Sequence, residues 1–181
     1  MRPSPGEVLH FSEDPTITVF APHLAATAQE PEPYVWAVGA DRAPDYWFPR
    51  SCPRGMAWTT PDSSEADRDR IIGTGCGERV HAIEYRWLDA LRTTCLYAYR
   101  LPAQPFTPIG EHAHAMVATV PVSPLGPAEP VGDLLKLHEE AGIQLRILAD
   151  LWPFWDAVVG STLGFSGIRL RNALPRMAER A

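Results

Sequence analysis

The stretch Val8–Phe11 reads as a short first strand, and Thr16-Ile17-Thr18-Val19-Phe20 alternates polar with apolar at the period of an extended segment, with Asp14-Pro15 turning the chain between them. Residues Ala21 to Pro33 are polar and proline-rich, which predicts a surface loop leading to a largely buried strand over Tyr34–Val38. A short helix is predicted over Asp41–Trp47, with Asp41 as its N-cap. Pro49 and Pro53 prevent a regular helix through Arg50–Arg54, so this run is expected to be a stiff, extended connection into a strand over Gly55–Thr59.

Further along, Ser63-Ser64-Glu65 opens a helix reaching Ile72, Arg79–Glu84 reads as a strand, Trp87–Arg92 as a short helix, and Thr94–Leu101 and His114–Val122 as strands. Pro124–Pro130 is a proline-rich loop. Val131–Ala141 carries leucines on one side and Lys136, Glu139 and Glu140 on another, as a surface helix does, and Gly142 stops it. Ile143–Ile147 returns as a strand and Pro153 starts a helix over Phe154–Ser161, after which Gly164 and Gly167 break the pattern. Strands and short helices mix without steady βα alternation. The expected class is therefore α+β: a mixed, mostly antiparallel sheet, with a split sheet as one form of it, flanked by short helices. One globular domain over 1–181 is expected, with 1–7 as a flexible tail.

Composition narrows the function classes. The chain has 181 residues, 45% of them hydrophobic, enough for a substantial core. A net charge of −6 without a basic run argues against a nucleic-acid partner. The N-terminus lacks an apolar signal region and no stretch reaches bilayer-spanning length, so a soluble, cytoplasmic protein with no membrane partner is expected. Cys52, Cys76 and Cys95 form no C-x-x-C pair and suggest neither disulfides nor structural zinc. Lys136 is the only lysine among the 16 Lys and Arg residues, a bias expected of a GC-rich bacterial genome such as an actinobacterial one.

Candidate chemistry concentrates in two places. His10-Phe11-Ser12-Glu13-Asp14 ends the first strand with groups that bind ribose hydroxyls or move protons, although Ser12 and Asp14 equally suit turn capping. The run from Val35 to Arg54 sets Trp36, Tyr46, Trp47 and Phe48 beside Arg50 and Arg54, an aromatic surface with fixed positive charge. That pairing suits a flat or anionic small molecule, and equally a packed core with arginines tied to carbonyls. The candidates are His10, Glu13 and Tyr46 for catalysis and Ser12, Trp36, Arg50 and Arg54 for ligand binding, with no metal assigned. Lesser features are Cys52 between two arginines, the glycine-rich Gly73–Gly77, the spacing of His112 and His114, and Asp156 among aromatics, read either as a desolvated acid or as a first-turn helix residue. Arg146, Arg169, Arg171 and Asn172 form either a second polar cluster or ordinary surface.

The residues Leu9–Ile17, Val35-Trp36-Ala37, Phe48–Arg54, Gly142–Arg146 and Leu151-Trp152-Pro153 resemble a bacterial family of unknown function of about this length, with His23 and Ser51 departing from its usual pattern. At the level of fold the chain is also similar to ADP-ribosyltransferases. That resemblance implies a first-strand His10, a second strand at Tyr34–Val38, Tyr46 near a nicotinamide, and NAD as the occupant of the aromatic and arginine cluster. Two readings follow: an enzyme binding a nucleotide-like or aromatic anionic small molecule for ADP-ribosyl or glycosyl transfer or hydrolysis, and a secondary-metabolite tailoring enzyme or cyclase using His10, Glu13 or Asp156 as acid or base without NAD. A non-catalytic ligand-binding module is the third. Oligomeric state is left open.

Overall fold

Neighbouring side chains on a strand point to opposite faces, and along the first strand this separates Val8, His10 and Ser12 from Leu9 and Phe11. The computed structural model describes residues 1–24, 32–73, 77–110 and 115–176. The chain divides into two compact units, Met1–Arg50 with Thr94–Gly132, and Ser51–Thr93 with Asp133–Ala181.

In the first unit β1 (Glu7–Ser12) pairs antiparallel with β5 (Tyr97–Pro102), placing His10 opposite Tyr99, and β5 pairs in turn with β8 (Glu129–Pro130). A second antiparallel sheet sets β2 (Val35–Ala37) beside β7 (Ala115–Ala118) and β7 beside β6 (Thr107–Ile109). The lead strands of the two sheets meet at one bridge, where Leu9 and Val38 exchange N–H to carbonyl bonds of 2.9 and 2.8 Å. Val8, Phe20, Val35, Ala37, Tyr99 and Leu101 form a core on one side of β1, and Leu9, Val38 and Ala43 form a smaller one joined by Phe11 and Tyr46. Arg100, on the central strand, reaches Glu7 on one side at 2.7 Å and Glu129 on the other at 2.8 Å, so one guanidinium ties all three strands. Glu7, expected in a flexible tail, is thus the first residue of a strand.

The second unit is built on a four-stranded sheet in the order β10 (Gly164–Ile168), β3 (Arg54–Trp58), β4 (Arg79–Glu84), β9 (Gln144–Leu148), antiparallel except for the parallel β4–β9 pair. Its helices are short: α1 (Glu65–Asp67), widening into a looser turn over Arg68–Ile72, α2 (Leu88–Thr93), α3 (Leu134–Glu140) and α4 (Trp152–Val159). Ser64 accepts from the Asp67 N–H and caps α1, and Asp133 accepts from the Leu135 and Lys136 N–H groups and caps α3. The α+β class is the one the hydrophobic pattern predicts, but β6, β8 and β10 fall where that pattern marks no strand, and the extended segment read over Thr16–Phe20 pairs only at a bridge from Phe20 to Val122.

Three expectations are corrected. The turn after β2 is a 3-10 turn over Ala43–Tyr46 with Arg42, not Asp41, at its N-cap position. Gly164 and Gly167 do not end regular structure but lie within β10. A Cβ on Gly164 would sit 2.4 Å from the Trp58 Nε1, and one on Gly167 would sit 2.7 Å from the Trp155 ring, so bare backbone is needed where those rings approach. Asp156 lies beyond the first turn of α4, exposed and doubly bonded to Arg176 at 2.8 Å, which holds its carboxyl below the usual carboxylate range.

A buried polar chain crosses the second unit. Arg79 Nε donates to His81 Nε2 at 3.0 Å, so His81 carries its proton on Nδ1 and donates it to His138 Nε2 at 3.0 Å, leaving His138 Nδ1 to donate to the Leu134 carbonyl at 2.7 Å. Each donor in this chain meets an acceptor only while both rings stay neutral. Burial pushes the His138 imidazole down, Arg54 and Arg79 add to that, and the Leu134 carbonyl opposes it.

Gly77 has φ +78°, and a Cβ there would stand 2.3 Å from the Gly142 carbonyl oxygen, a backbone atom. Gly77→Ala is expected to cost about 2–3 kcal/mol in urea denaturation; a loss under about 0.5 kcal/mol would contradict this packing. For His138 the sign follows from its lowered pKa. Above about pH 6.5 neither folded nor unfolded chain binds the proton, and below it the unfolded chain gains a proton the folded one refuses, so stability falls with acidification. An NMR titration of His138 should show a midpoint below 6.5, and a midpoint at or above that value would contradict the buried chain.

Candidate functional site

His10 projects from β1 toward the side of the larger core, and its Nδ1 lies 2.7 Å from the Trp36 carbonyl of β2. A carbonyl only accepts, so Nδ1 carries the proton and Nε2 keeps its lone pair. Burial pushes the imidazole below its ordinary value, the charges of Arg50 and His23 push the same way, and the bond to Trp36 opposes them. The ring is therefore a neutral base near pH 7. It rests 4.5 Å from the Phe20 ring, which meets Tyr99 edge-on at 5.1 Å.

Tyr99 holds the turn that follows β1, its hydroxyl donating to the Asp14 carbonyl at 2.6 Å and accepting from the Ile17 N–H at 3.0 Å. Within that turn the Ser12 hydroxyl accepts from the Asp14 N–H, and the Asp14 carboxylate accepts from the Thr16 N–H and hydroxyl, which lowers its pKa. Glu13 accepts from the Arg50 backbone N–H at 2.8 Å, fixing the residue that carries the positive charge. The Arg50 guanidinium itself has no hydrogen bond or ion pair to any described residue.

These elements enclose an open concavity of about 220 Å³ whose walls include His10, Phe20, His23, Trp36 and Arg50. Three of the residues singled out from the sequence, His10, Trp36 and Arg50, thus share one hollow. The Trp36 indole N–H is shielded from solvent and has no hydrogen-bond partner among the described residues. His23 enters the wall because its backbone pairs with Tyr34 at the start of the second strand. Neither Phe20 nor His23 was legible as a site residue, since the hollow depends on the bridges at Phe20–Val122 and His23–Tyr34, between residues with no shared motif.

The remaining candidates lie elsewhere. Tyr46 stacks on Phe11 at 6.4 Å with the rings 7° apart, and Phe11 faces away from His10, so Tyr46 packs on the opposite side of β1. Ser12 and Glu13 are held in the turn and on the Arg50 backbone. Trp47 and Phe48 are core side chains, 2% and 1% exposed. Arg54 belongs to the second unit, is 2% exposed, and donates to the Cys52 carbonyl at 2.9 Å; that buried bond occupies the guanidinium expected to hold an anion. Cys52 is fully buried, and desolvation outweighs the charge of Arg54, pushing its thiol up to about 12, so its place between two arginines does not activate it.

In the second polar cluster Arg146 donates to the Ile72 carbonyl at 2.7 Å and Asn172 to the Ser51 carbonyl at 2.7 Å, both tying backbone. His112, His114 and Thr74–Cys76 of the glycine-rich run lie outside the described residues. No group of three or more His, Cys, Asp or Glu among the described residues is placed to hold a metal, and no helix among them is long and apolar enough to cross a membrane.

The fold and this hollow define an α+β protein with a concave, partly cationic site of small-molecule size. The chain belongs to the family of unknown function DUF6886, whose model matches residues 9–173. No curated protein and no solved structure matches it.

The surroundings of Cys52 predict that iodoacetamide near pH 8 alkylates the exposed Cys95 while Cys52 stays unmodified in the folded protein. Mass spectrometry showing Cys52 modified as fast as Cys95 would contradict the buried environment.

Proposed function

We propose that this protein is a small enzyme that binds a nucleotide-like or aromatic anionic molecule in the hollow of its first unit and catalyses glycosyl or ADP-ribosyl transfer or hydrolysis. The observation that carries this reading is the convergence of His10, Trp36 and Arg50 on one concavity. His10 Nε2 receives a hydroxyl proton or hydrogen bond, Trp36 supplies an aromatic wall, and Arg50 holds the anion. Glu13 acts through Arg50 by fixing its backbone, and Ser12 keeps the turn between them. Tyr46 supports β1 from the far side.

The two sheets, joined at Leu9 and Val38, favour the likeness to ADP-ribosyltransferases, under which NAD is the ligand, whereas Tyr46, which that likeness puts near a nicotinamide, packs on the far side of β1. Sites for drug-sized ligands run from about 300 to 1,000 Å³. A hollow of about 220 Å³ therefore accommodates one end of a dinucleotide, with the rest outside it. When bound, NAD would supply the glycosidic bond to be broken.

The second reading, acid–base chemistry on a substrate without nucleotide, is favoured by one observation: His10 is a neutral base set against Phe20. Of the two carboxylates in that reading, Glu13 is engaged with the Arg50 N–H and Asp156 with Arg176, which leaves His10 as the base.

Isothermal titration with NAD and with ADP-ribose separates the readings. Arg50→Ala is expected to weaken binding by about 1.5–3 kcal/mol, the worth of a hydrogen bond to a charged group, with the circular dichroism unchanged. Equal dissociation constants for the variant and the parent chain would remove the anion-binding role. Failure of both nucleotides to bind, alongside turnover that depends on His10, would favour the second reading.

A further inference from the structure

We propose that the hollow of the first unit is a site for a phosphorylated sugar, with one sugar hydroxyl donating to His10 Nε2 and the phosphate held by Arg50. The inference rests on the reading of this concavity as a ligand site and specifies what occupies it.

The two polar groups make opposite demands. With its proton committed to the Trp36 carbonyl, neutral His10 offers the hollow only a lone pair and is satisfied only by a donor. A phosphate oxygen without a proton cannot fill that role. Arg50 offers only donors, and its guanidinium has no partner among the described residues, so it is satisfied by an acceptor and best by an anion. A fully ionised phosphate monoester such as methyl phosphate meets one demand and a neutral sugar meets the other. A molecule carrying both a hydroxyl and a phosphate meets both at once.

Preorganisation and size point the same way. The His10 ring is fixed by its bond to Trp36 and its contact with Phe20, and the main chain at Arg50 is pinned by Glu13, so the ligand orders only the exposed Arg50 side chain. The volume of about 220 Å³ is that of about seven waters in the liquid, the scale of a single sugar ring with one substituent. Ile17, Val19, Phe20 and Trp36 give it an apolar stretch of wall against which the carbon face of such a ring packs, and polar surface makes up nearly half of the lining. His23 is the other titratable group on the wall, and its Nδ1 lies 3.3 Å from the Ala21 carbonyl.

The test is calorimetric titration of the whole chain near pH 7.5 with ribose 5-phosphate, ribose and methyl phosphate, a phosphate that has no hydroxyl when ionised, each also against His10→Asn, His10→Gln and Arg50→Ala. Asn reproduces the Nδ1–H donor toward Trp36 and lacks the Nε2 acceptor; Gln places an acceptor where Nε2 was. Ribose 5-phosphate should bind at least about tenfold more tightly than either half molecule. His10→Asn should reduce its affinity to that of methyl phosphate, Arg50→Ala to that of ribose, and His10→Gln should retain more of it than His10→Asn. Methyl phosphate binding as tightly as ribose 5-phosphate, or ribose 5-phosphate affinity unmoved in His10→Asn and Arg50→Ala, would overturn the proposal. If NAD binds with dependence on Arg50 while ribose 5-phosphate does not compete, the sugar-phosphate site falls and the nucleotide reading stands. If neither binds, both fall.

Discussion

The hydrogen bond from His10 Nδ1 to the Trp36 carbonyl does three things at once. It spans 26 residues of sequence to join the lead strands of the two sheets in the first unit. It selects the tautomer, because a carbonyl leaves Nδ1 no role but donor. It also sets the imidazole where burial, Arg50 and His23 keep it neutral, so the group presented to the hollow is a lone pair and not a charge. The positive charge of the site is thereby left to Arg50, on a backbone fixed by Glu13. Base and cation are separate side chains on separate segments, and the proposed ligand satisfies both.

The supports of these groups are ordinary packing. The Tyr99 hydroxyl holds the turn after β1 from the strand opposite His10, Phe20 buttresses the imidazole from the pairing with Val122, and Tyr46 and Phe11 fill the far side of β1. The second unit uses its polar groups inwardly. Arg79, His81 and His138 pass hydrogen bonds along a chain, Arg54 and Arg146 tie carbonyls, and Glu84, 1% exposed, accepts from Arg86 and the Leu174 N–H. A buried arginine or histidine whose protons are already committed to carbonyls and rings is part of the architecture and offers a ligand nothing.

Much of the fold was legible because strand alternation and caps are local. Arg79–Glu84 is a strand over the residues its pattern marks, Ser64 caps the helix it opens, and Gly142 ends α3 with a φ of +65°, while α3 starts behind its Asp133 cap and not at Val131. The strand at Gly164–Ile168 was not legible, because its glycines answer to the Trp58 and Trp155 rings, which lie far off in sequence. In the site, His10, Trp36 and Arg50 were readable from residue type. Tyr46 was misplaced because one position along β1 decides which face a partner packs on, and Arg54 because a proline-flanked arginine reads the same whether it faces solvent or the Cys52 carbonyl. His23 gave no signal, since only the pairing with Tyr34 brings it to the hollow.

The protonation state of His10 carries the account, and nitrogen NMR of the imidazole reads it directly. In isotopically labelled protein at about pH 7 the ring should be neutral, with the proton on Nδ1 and an unprotonated Nε2. A ring protonated on both nitrogens at that pH, or one carrying its proton on Nε2, would contradict the bond to Trp36 and with it the division of labour between base and cation.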